Sequence, residues 1–285
     1  MKHIIQKYES LLLEPIDGFN VSLFRLLFGI FLILDAFFFC ALKSFYFPEQ
    51  RFYFQFPIFE GWPHFGSTVT TYLLISLATA GLLITLGRHV RLCAAWAFLV
   101  LLHLLLRDAA MYMNHLVLSL LISGILILIP SDRYFFVGQK QSGFSRSIRR
   151  YEQIFLIAPF WISYIFGAIG KLRPEWFSGD LIAVNMGMSR TSNALSRLLY
   201  QPSHVSWEVW AVLFVEIAAP VGLLFRPTRR LTILSLLFFH IVNHFTMNIG
   251  LFSILMIDSL VLYASPETLK SIFYRKQNSS NRVVV

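Results

Sequence analysis

Residues 165–176 read Ile-Phe-Gly-Ala-Ile-Gly-Lys-Leu-Arg-Pro-Glu-Trp, and a long apolar run stops within them at Lys171. From residue 154 to residue 170, sixteen of the seventeen residues are apolar, aromatic, Gly or Pro, and Ser163 is the exception. A helix that crosses the hydrocarbon core of a bilayer needs about 20 such residues. The stretch therefore predicts a membrane-spanning helix that places Lys171 where hydrocarbon meets the lipid headgroups.

Lys171 allows two interpretations. Its ammonium group can reach water along its own flexible side chain, which is the commoner behaviour of a lysine at the end of a span. The functional alternative is a partly desolvated lysine whose pKa falls until its amine acts as a base. The residues that surround Lys171 decide between the two.

The composition is that of a polytopic membrane protein. Of the 285 residues, 56% are hydrophobic and 14% are charged, and the mean hydropathy is +0.65. This leaves too little polar surface for a soluble globule. We expect an all-α bundle that forms a single transmembrane domain over residues 1–270, followed by a basic cytoplasmic tail over residues 271–285. A removable signal peptide is not expected, because residues 1–17 lack an apolar core followed by a small-residue cleavage site.

About eight apolar stretches are long enough to draw as spans. They cover residues 21–42, 68–86, 92–106, 110–129, 151–170, 207–225, 231–248 and 250–264. The third and the eighth are short for a crossing of the bilayer. The chain therefore predicts about eight transmembrane helices.

Basic residues predict the orientation of these helices. With the N-terminus in the cytoplasm, sixteen Lys and Arg residues fall in the inner segments and seven in the outer ones, although the outer side has the two longest loops. Cytoplasmic loops of membrane proteins carry this excess. We expect an integral membrane protein, in a bacterial inner membrane, with both termini cytoplasmic. Orientation accounts for the net charge of +9, and no nucleic-acid partner is predicted.

The outer loops are unusually aromatic. Residues 43–66 are crowded with Phe, Tyr and Trp, which favours a loop that lies in the membrane interface. The loop is an ordinary aromatic belt or a lid over a lipid-soluble substrate, and the two interpretations are compatible. Residues 172–204 are similarly typical of one or two short interfacial helices.

Polar residues collect at the outer ends of several predicted spans. Four of the eight histidines fall in the outer half of the bilayer, on the same side as Lys171: His103, His115, His240 and His244. Asn114 precedes His115 and Asn243 precedes His244. A single intramembrane histidine or asparagine is often structural, but several at one depth favour a site. His240 and His244 share one helical face as a zinc pair does, yet no acidic partner follows the known spacing, and no metal is predicted.

Charged residues within the spans are candidates for supporting this site. Asp35, Glu216 and Asp258 lie inside apolar stretches, and Arg25 lies near the inner end of the first one, within reach of the cytoplasmic interface. An ionised carboxylate at mid-membrane is costly, so Glu216 is expected to be protonated or bonded to a histidine or another donor. It then ties helices together or orients a site histidine.

The order of several motifs resembles the membrane core of vitamin K-dependent γ-glutamyl carboxylase and the bacterial membrane proteins that share its HTTM domain. The resemblance covers residues 17–266. Its motifs are Leu-Phe-Arg-Leu-Leu-Phe-Gly at 23–29 with Asp35, Phe-Pro at 56–57, Asn-His at 114–115, Gly-Lys-Leu at 170–172 with Glu175 and Trp176, Phe-His at 239–240 with Asn243, and Gly-Leu-Phe-Ser at 250–253.

This resemblance implies a chemistry and a set of site residues. In the carboxylase, a lysine that matches Lys171 deprotonates a reduced quinone, oxygen adds, an epoxide forms, and a strong base removes a proton from a glutamate that captures carbon dioxide. Lys171, His115 and His240 are then the catalytic candidates. For substrate or cofactor binding, the motifs give Asn114, Asn243 and Trp176, and depth in the membrane adds His103 and His244. For support, the motifs give Arg25 and Asp35, and the mid-membrane position adds Glu216. The cofactor is a reduced quinone, vitamin K hydroquinone or menaquinol, reached from the membrane lipid.

The chain also departs from the carboxylase. It ends soon after its last apolar stretch, without the luminal domain with which the eukaryotic enzyme grips its substrate, so protein-substrate recognition by that route is not expected. His244 replaces a different residue of the motif, and no role carries over to it. Alternatives to a quinol-dependent lyase or oxygenase are a maturation or immunity factor for an exported peptide, and a non-enzymatic binding or transport protein. The sequence leaves the oligomeric state open.

Overall fold

The computed structural model describes residues 2–47, 53–135, 137, 145–182, 184, 205–247 and 249–274. The chain forms two compact units. Unit 1 comprises Met1–Leu156 and Pro266–Val285, and unit 2 comprises Ile157–Ser265. Most of the described residues lie in helices, and the two strands are only three residues long each, which confirms the expected all-α membrane helix bundle.

The first part of the chain contains seven of these helices in the described residues. They are α1 (Lys2–Leu13), α2 (Phe19–Ala41), α3 (Lys43–Tyr46), α4 (Ser67–Thr85), α5 (Val90–Arg107), α6 (Asn114–Leu128) and α7 (Arg150–Gly170). Two short strands, β1 (Pro15–Asp17) and β2 (Ser147–Arg149), pair antiparallel with Ile16 opposite Ile148. Single 3₁₀ turns lie at Pro57–Phe59 and Ala109–Met111.

The remaining helices follow the end of α7. They are α8 (Pro174–Phe177), α9 (Val205–Leu224), α10 (Arg226–Thr246), α11 (Phe252–Ser259) and α12 (Pro266–Tyr274), with a 3₁₀ turn at Leu260–Leu262. Most of the predicted interfacial segment 172–204, apart from α8 and the residues just after it, lies outside the described residues, as do residues 275–285 of the predicted tail.

Five described helices are long and apolar enough to cross a membrane: α2, α4, α5, α7 and the part of α9 from Trp207. The count reaches six if Phe252–Leu262 and α12, which follow each other after a short break, form one broken span. The other predicted spans are also helical, but α6 has only 15 residues and α10 begins with Arg226, Arg229 and Arg230. These features make α6 and α10 weaker spans than the sequence pattern indicated.

Small residues let the helices of unit 1 approach closely. A Cβ added to Gly29 on α2 would lie 2.6 Å from the carbonyl oxygen of Gly81 on α4, and one added to Gly81 would lie 2.7 Å from the carbonyl oxygen of Gly29. Lipid gives no hydrophobic reason for helices to associate, so close backbone packing between small residues is what joins them. The α2–α4 pair is accordingly the framework of unit 1.

A similar contact joins two helices of unit 2. A Cβ added to Gly222 on α9 would lie 2.2 Å from Oγ1 of Thr232 on α10. Pro220 interrupts the hydrogen bonding of α9, and its carbonyl oxygen accepts a hydrogen bond of 2.9 Å from the indole nitrogen of Trp161 on α7. These two contacts join α9 to α10 and to α7 within unit 2.

Candidate functional site

The site of unit 2 begins where α7 ends. The backbone N–H groups of Lys171 and Leu172 turn back to the carbonyl groups of Ala168 and Ile169, at 3.1 Å each. Arg173 is then extended, and Pro174 opens α8. A residue before proline avoids helical backbone angles, so the sequence ends α7 close to Gly170, as predicted.

Lys171 directs its amine toward the membrane-spanning part of the unit. Its Nζ donates to both carboxylate oxygens of Glu216, at 2.8 and 2.7 Å, and to the carbonyl oxygen of Gly167 at 3.3 Å. The exposed fractions of the two side chains are 22% for Lys171 and 13% for Glu216. The sequence left open whether Glu216 is protonated or bonded to a histidine or another donor. In the structure its partner is Lys171.

Gly167 makes the close approach of this carboxylate possible. A Cβ added to Gly167 would lie 3.2 Å from Oε2 and 3.3 Å from Oε1 of Glu216. A contact this short forces the neighbouring group to shift by a few tenths of an ångström. The missing side chain therefore lets Glu216 lie against α7, beside Lys171.

Trp176 covers the ammonium group from a third direction. The Nζ atom of Lys171 lies 5.2 Å from the centre of the indole ring, within the range of a cation–π contact. The ring is fixed because its Nε1 donates to the carbonyl oxygen of Val209 at 3.3 Å and because it packs in a buried cluster with Ile182 and Val209. Lys171 is therefore surrounded by a carboxylate, a carbonyl group and an aromatic face.

Deeper in unit 2, His240 bonds to a residue that the sequence pattern did not single out. The hydroxyl group of Tyr164 on α7 lies 2.8 Å from Nε2 of His240 on α10. Tyr164 is 3% exposed and His240 is 1% exposed, and Nδ1 of His240 has no hydrogen-bond partner. Tyr164, Gly167 and Lys171 are three and four residues apart, so they follow one face of α7.

Two other predicted binding residues lie near the end of α10. Asn243 and His244 are both half-buried, and Nδ1 of His244 is buried without a hydrogen-bond partner. In the part of the chain that the structure describes, no three His, Cys, Asp or Glu side chains are grouped closely enough to hold a metal ion.

Unit 1 pairs His115 with Asp35. Nε2 of His115, in the first turn of α6, lies 3.4 Å from Oδ1 of Asp35 on α2. Asp35 is 0% exposed and His115 is 2% exposed, and the rings of Phe38 and Phe39 lie 6.3 and 6.1 Å from the imidazole. The carboxylate and the imidazole are therefore buried next to each other in an apolar shell, and neither Nε2 of His115 nor the two oxygens of Asp35 form a hydrogen bond with the described residues. Asn114 precedes this pair and is exposed at the start of α6.

Arg25 does not reach the interface as the sequence suggested. It is 0% exposed, and its guanidinium group donates to five backbone carbonyl groups, those of Ser131, Ile84, Thr85, Tyr134 and Phe135. An apolar surrounding makes every unsatisfied carbonyl costly. Arg25 therefore supports the fold, because it ties the end of α4 and the segment after α6 to α2.

The HTTM domain profile matches residues 13–267. The chain belongs to the HTTM domain family. No solved structure matches the chain. The match contains all the candidate site residues, so both polar groups, Lys171 with Glu216 and His115 with Asp35, are part of the HTTM domain.

The structure brings some predicted site residues of this HTTM protein together within each unit. Unit 2 joins Lys171 to Glu216 and Trp176, and it places His240 next to Tyr164. Unit 1 joins His115 to Asp35. Convergence of the residues of unit 1 with those of unit 2 stays a prediction.

Proposed function

We propose that this HTTM protein is an integral membrane enzyme of the carboxylase or epoxidase type, in which Lys171 removes a proton from a reduced quinone. The proposal depends on one observation: the amine at the end of an apolar helix is held by Glu216 instead of extending into water. Membership of the HTTM family supports it, because the carboxylase core that the sequence resembles has this domain.

The residues of unit 2 fit a quinol. Such a molecule has a flat apolar ring with two phenolic hydroxyl groups, and when bound it supplies their protons together with two electrons. The indole of Trp176, which is 9% exposed, would hold the ring by stacking. The unpartnered Nδ1 of His240 and the side chain of Asn243 would bond to its oxygens. Vitamin K hydroquinone and menaquinol both meet this description.

The Lys171–Glu216 pair is able to provide a base without a change in net charge. Transfer of a proton from Nζ to the carboxylate, over 2.7 Å, leaves a neutral amine and a neutral acid. An apolar environment penalises separated charges, which favours such a neutral form more than water does. The neutral Nζ then accepts the proton of the substrate, and Glu216 retains the first proton until it leaves the site.

Substitution of Lys171 tests the proposal. Membranes that contain the protein are supplied with menaquinol or vitamin K hydroquinone and oxygen, and quinol-dependent oxygen consumption is measured. Lys171→Ala removes the base, and Lys171→Arg keeps the positive charge but not a group that can lose its proton. Both variants are expected to lose about 100-fold or more of turnover.

Lys270→Ala is the matched control, because Lys270 also pairs with a carboxylate, that of Asp17. This variant is expected to keep its turnover. Persistent turnover in both Lys171 variants would exclude the lysine mechanism.

We further propose that the protein lies in a bacterial inner membrane with both termini in the cytoplasm. The support is the sixteen basic residues of the predicted inner segments against seven in the outer ones. The aromatic residues of the 43–66 loop agree with an integral membrane protein: Phe45 is 65% exposed and Phe54 is 68% exposed, as expected of side chains in the membrane interface.

A further inference from the structure

Unit 1 buries a second cation, Arg107, at the end of α5. This residue is 2% exposed, and its guanidinium group lies 5.1 Å from the ring centres of both Phe47 and Tyr53. It donates to Oγ1 of Thr70 at 2.8 Å and to the hydroxyl group of Tyr53 at 2.9 Å. Among the described residues, no carboxylate oxygen lies within 4.0 Å of it. The positive charge is therefore buried against aromatic rings and hydroxyl groups alone.

One nitrogen of this guanidinium group has no partner. Nε of Arg107 is buried and forms no hydrogen bond. A buried donor without an acceptor destabilises a folded protein, and more so when the group is charged. Within the part of the chain that the structure describes, this cation therefore has an unused N–H donor and no carboxylate oxygen in contact with it.

His103 lacks an acceptor on the same face of α5. Its Nδ1 accepts a hydrogen bond of 3.1 Å from the indole nitrogen of Trp62. Because an indole N–H is a donor only, Nδ1 is unprotonated and the proton of the neutral ring is on Nε2. This Nε2 is buried without a partner. His103 and Arg107 are four residues apart and therefore neighbours on the helix, so two orphaned donors lie side by side.

Apart from Tyr53, the titratable groups that the structure describes next to Arg107 do not bond to its guanidinium group. Oδ1 of Asp108 accepts hydrogen bonds from the backbone N–H groups of Phe54 and Ala110, at 3.3 and 3.0 Å. The ring of His64 stacks on Tyr53 with centroids 4.1 Å apart. Burial, and next the charge of Arg107, lower the pKa of His64, so this ring stays neutral at physiological pH and adds no second charge.

The chemistry of these groups defines the ligand. A buried cation with unused N–H donors requires an anion whose atoms only accept hydrogen bonds, and a phosphate group fits a guanidinium group particularly well. Arg107 ends α5 and Thr70 lies in the first turn of α4, so the group lies where two candidate spans meet the headgroup region. Phosphate is the abundant anion at that depth.

We propose that Arg107 and His103, with Thr70 and Tyr53, form a site for the phosphate group of a membrane lipid. The lipid phosphate is held at the start of α4 and the end of α5, and its acyl chains lie along the apolar surface of these helices. The site is separate from the Lys171–Glu216 pair and does not depend on the proposed enzymatic activity.

Thermal unfolding in a non-ionic detergent tests the site with three added probes: phosphatidylglycerol, inorganic phosphate, and monogalactosyl diacylglycerol as a lipid without phosphate. Phosphatidylglycerol at about 100-fold over its Kd is expected to raise the Tm of the natural protein by roughly 5 °C. The galactolipid and inorganic phosphate are expected to leave it unchanged. An equal rise with the galactolipid would overturn the phosphate site, and a full rise with inorganic phosphate alone would overturn the lipid as its source.

Variants of two arginines on the same helix complete the test. Arg107→Gln is expected to lose the rise caused by phosphatidylglycerol, whereas Arg91→Gln, an exposed residue in the first turn of α5, keeps it. Arg107→Lys retains the charge without the Nε donor and is expected to keep a part of the rise, which preserves the test if Arg107→Gln does not fold. A full rise in either Arg107 variant would contradict the proposal.

Discussion

Two lysine–carboxylate pairs of this protein have nearly the same chemistry in different surroundings. Lys171 bonds to Glu216 and lies 5.2 Å from the ring of Trp176. Lys270 bonds to Asp17 and lies 5.2 Å from the ring of Tyr134. The exposed fractions are 22% and 13% in the first pair but 31% and 32% in the second.

The carboxylates of the two pairs have different tasks. Asp17 also accepts a hydrogen bond of 2.9 Å from the backbone N–H of Phe19, so it caps the start of α2 while Lys270 attaches α12. Glu216 lies near the middle of the apolar helix α9, where an unpaired carboxylate would be expensive. The comparison teaches that the Lys270 pair joins two helices in contact with water, while the Lys171 pair is largely withdrawn from water between apolar helices.

Glu216→Gln should have the largest effect, a loss of turnover that the matching change in the Lys270 pair does not cause. The amide keeps the size of the side chain but gives Lys171 no carboxylate to receive its proton, so quinol-dependent oxygen consumption should fall by about 100-fold. Asp17→Asn makes the same change in the other pair and should leave turnover unaltered. Equal turnover of Glu216→Gln and the natural protein would remove the distinction between the pairs.

Gly167→Ala should have an intermediate effect. The added methyl group displaces the carboxylate of Glu216 by a few tenths of an ångström, since a Cβ there meets Oε2 at 3.2 Å. Misplacement of a reacting group is costly, and we expect about a three- to tenfold loss of turnover without unfolding. Gly170→Ala is the control, because a Cβ at that position has no neighbour within 4 Å. The same loss in both variants would mean that the effect is a general one on α7.

The pH dependence of stability that arises from the Asp17–Lys270 pair should be the smallest effect. Partial burial raises the pKa of Asp17, but hydrogen bonds from Lys270 and the Phe19 N–H outweigh it, so that its pKa lies below the ordinary 3.8. Burial opposes the charge of Lys270, but its bond to Asp17 outweighs this and raises its pKa above 10.5.

The stabilisation by Asp17 is therefore complete above pH 3.8 and is lost as the pH falls through its lowered pKa. The contribution of Lys270 is complete below pH 10.5 and is lost as the pH rises through its raised pKa. For a pair this exposed, the loss at either end is about 0.2–1 kcal/mol. This loss of stability is measured by thermal unfolding of the natural protein and of Asp17→Asn across the acidic and the alkaline pH range. Identical pH profiles of the two proteins would show that the pair does not contribute to stability.

The helices were predictable because a lipid environment leaves the backbone few other choices. Continuous apolar runs located α2, α4, α5 and α7, and the stop of the apolar run at Lys171 located the end of α7 within a residue or two. The length of α6 was overestimated. A helix of 15 residues gives the same kind of apolar run in the sequence as a helix that crosses the whole membrane.

The partners of the site residues were less predictable. The sequence required a donor for Glu216 but did not identify it, because the lysine is 45 residues away and several donors competed at the same depth. Tyr164 was hidden in an apolar run, although its position seven residues before Lys171 on one helical face was an available signal. Arg107 was counted only among the basic residues of the outer segments. Nothing in the sequence pattern indicates that its guanidinium group is buried against aromatic rings.

The most direct test of the central claim is a reversed pair, Lys171→Glu with Glu216→Lys in one protein. The reversal keeps the ion pair and should keep the Tm close to that of the natural protein, but it moves the amine away from Trp176 to α9. We predict that quinol-dependent oxygen consumption is lost while the protein remains folded. Full oxygen consumption by the folded reversed pair would show that the pair only joins two helices, and would contradict a role for Lys171 as the base.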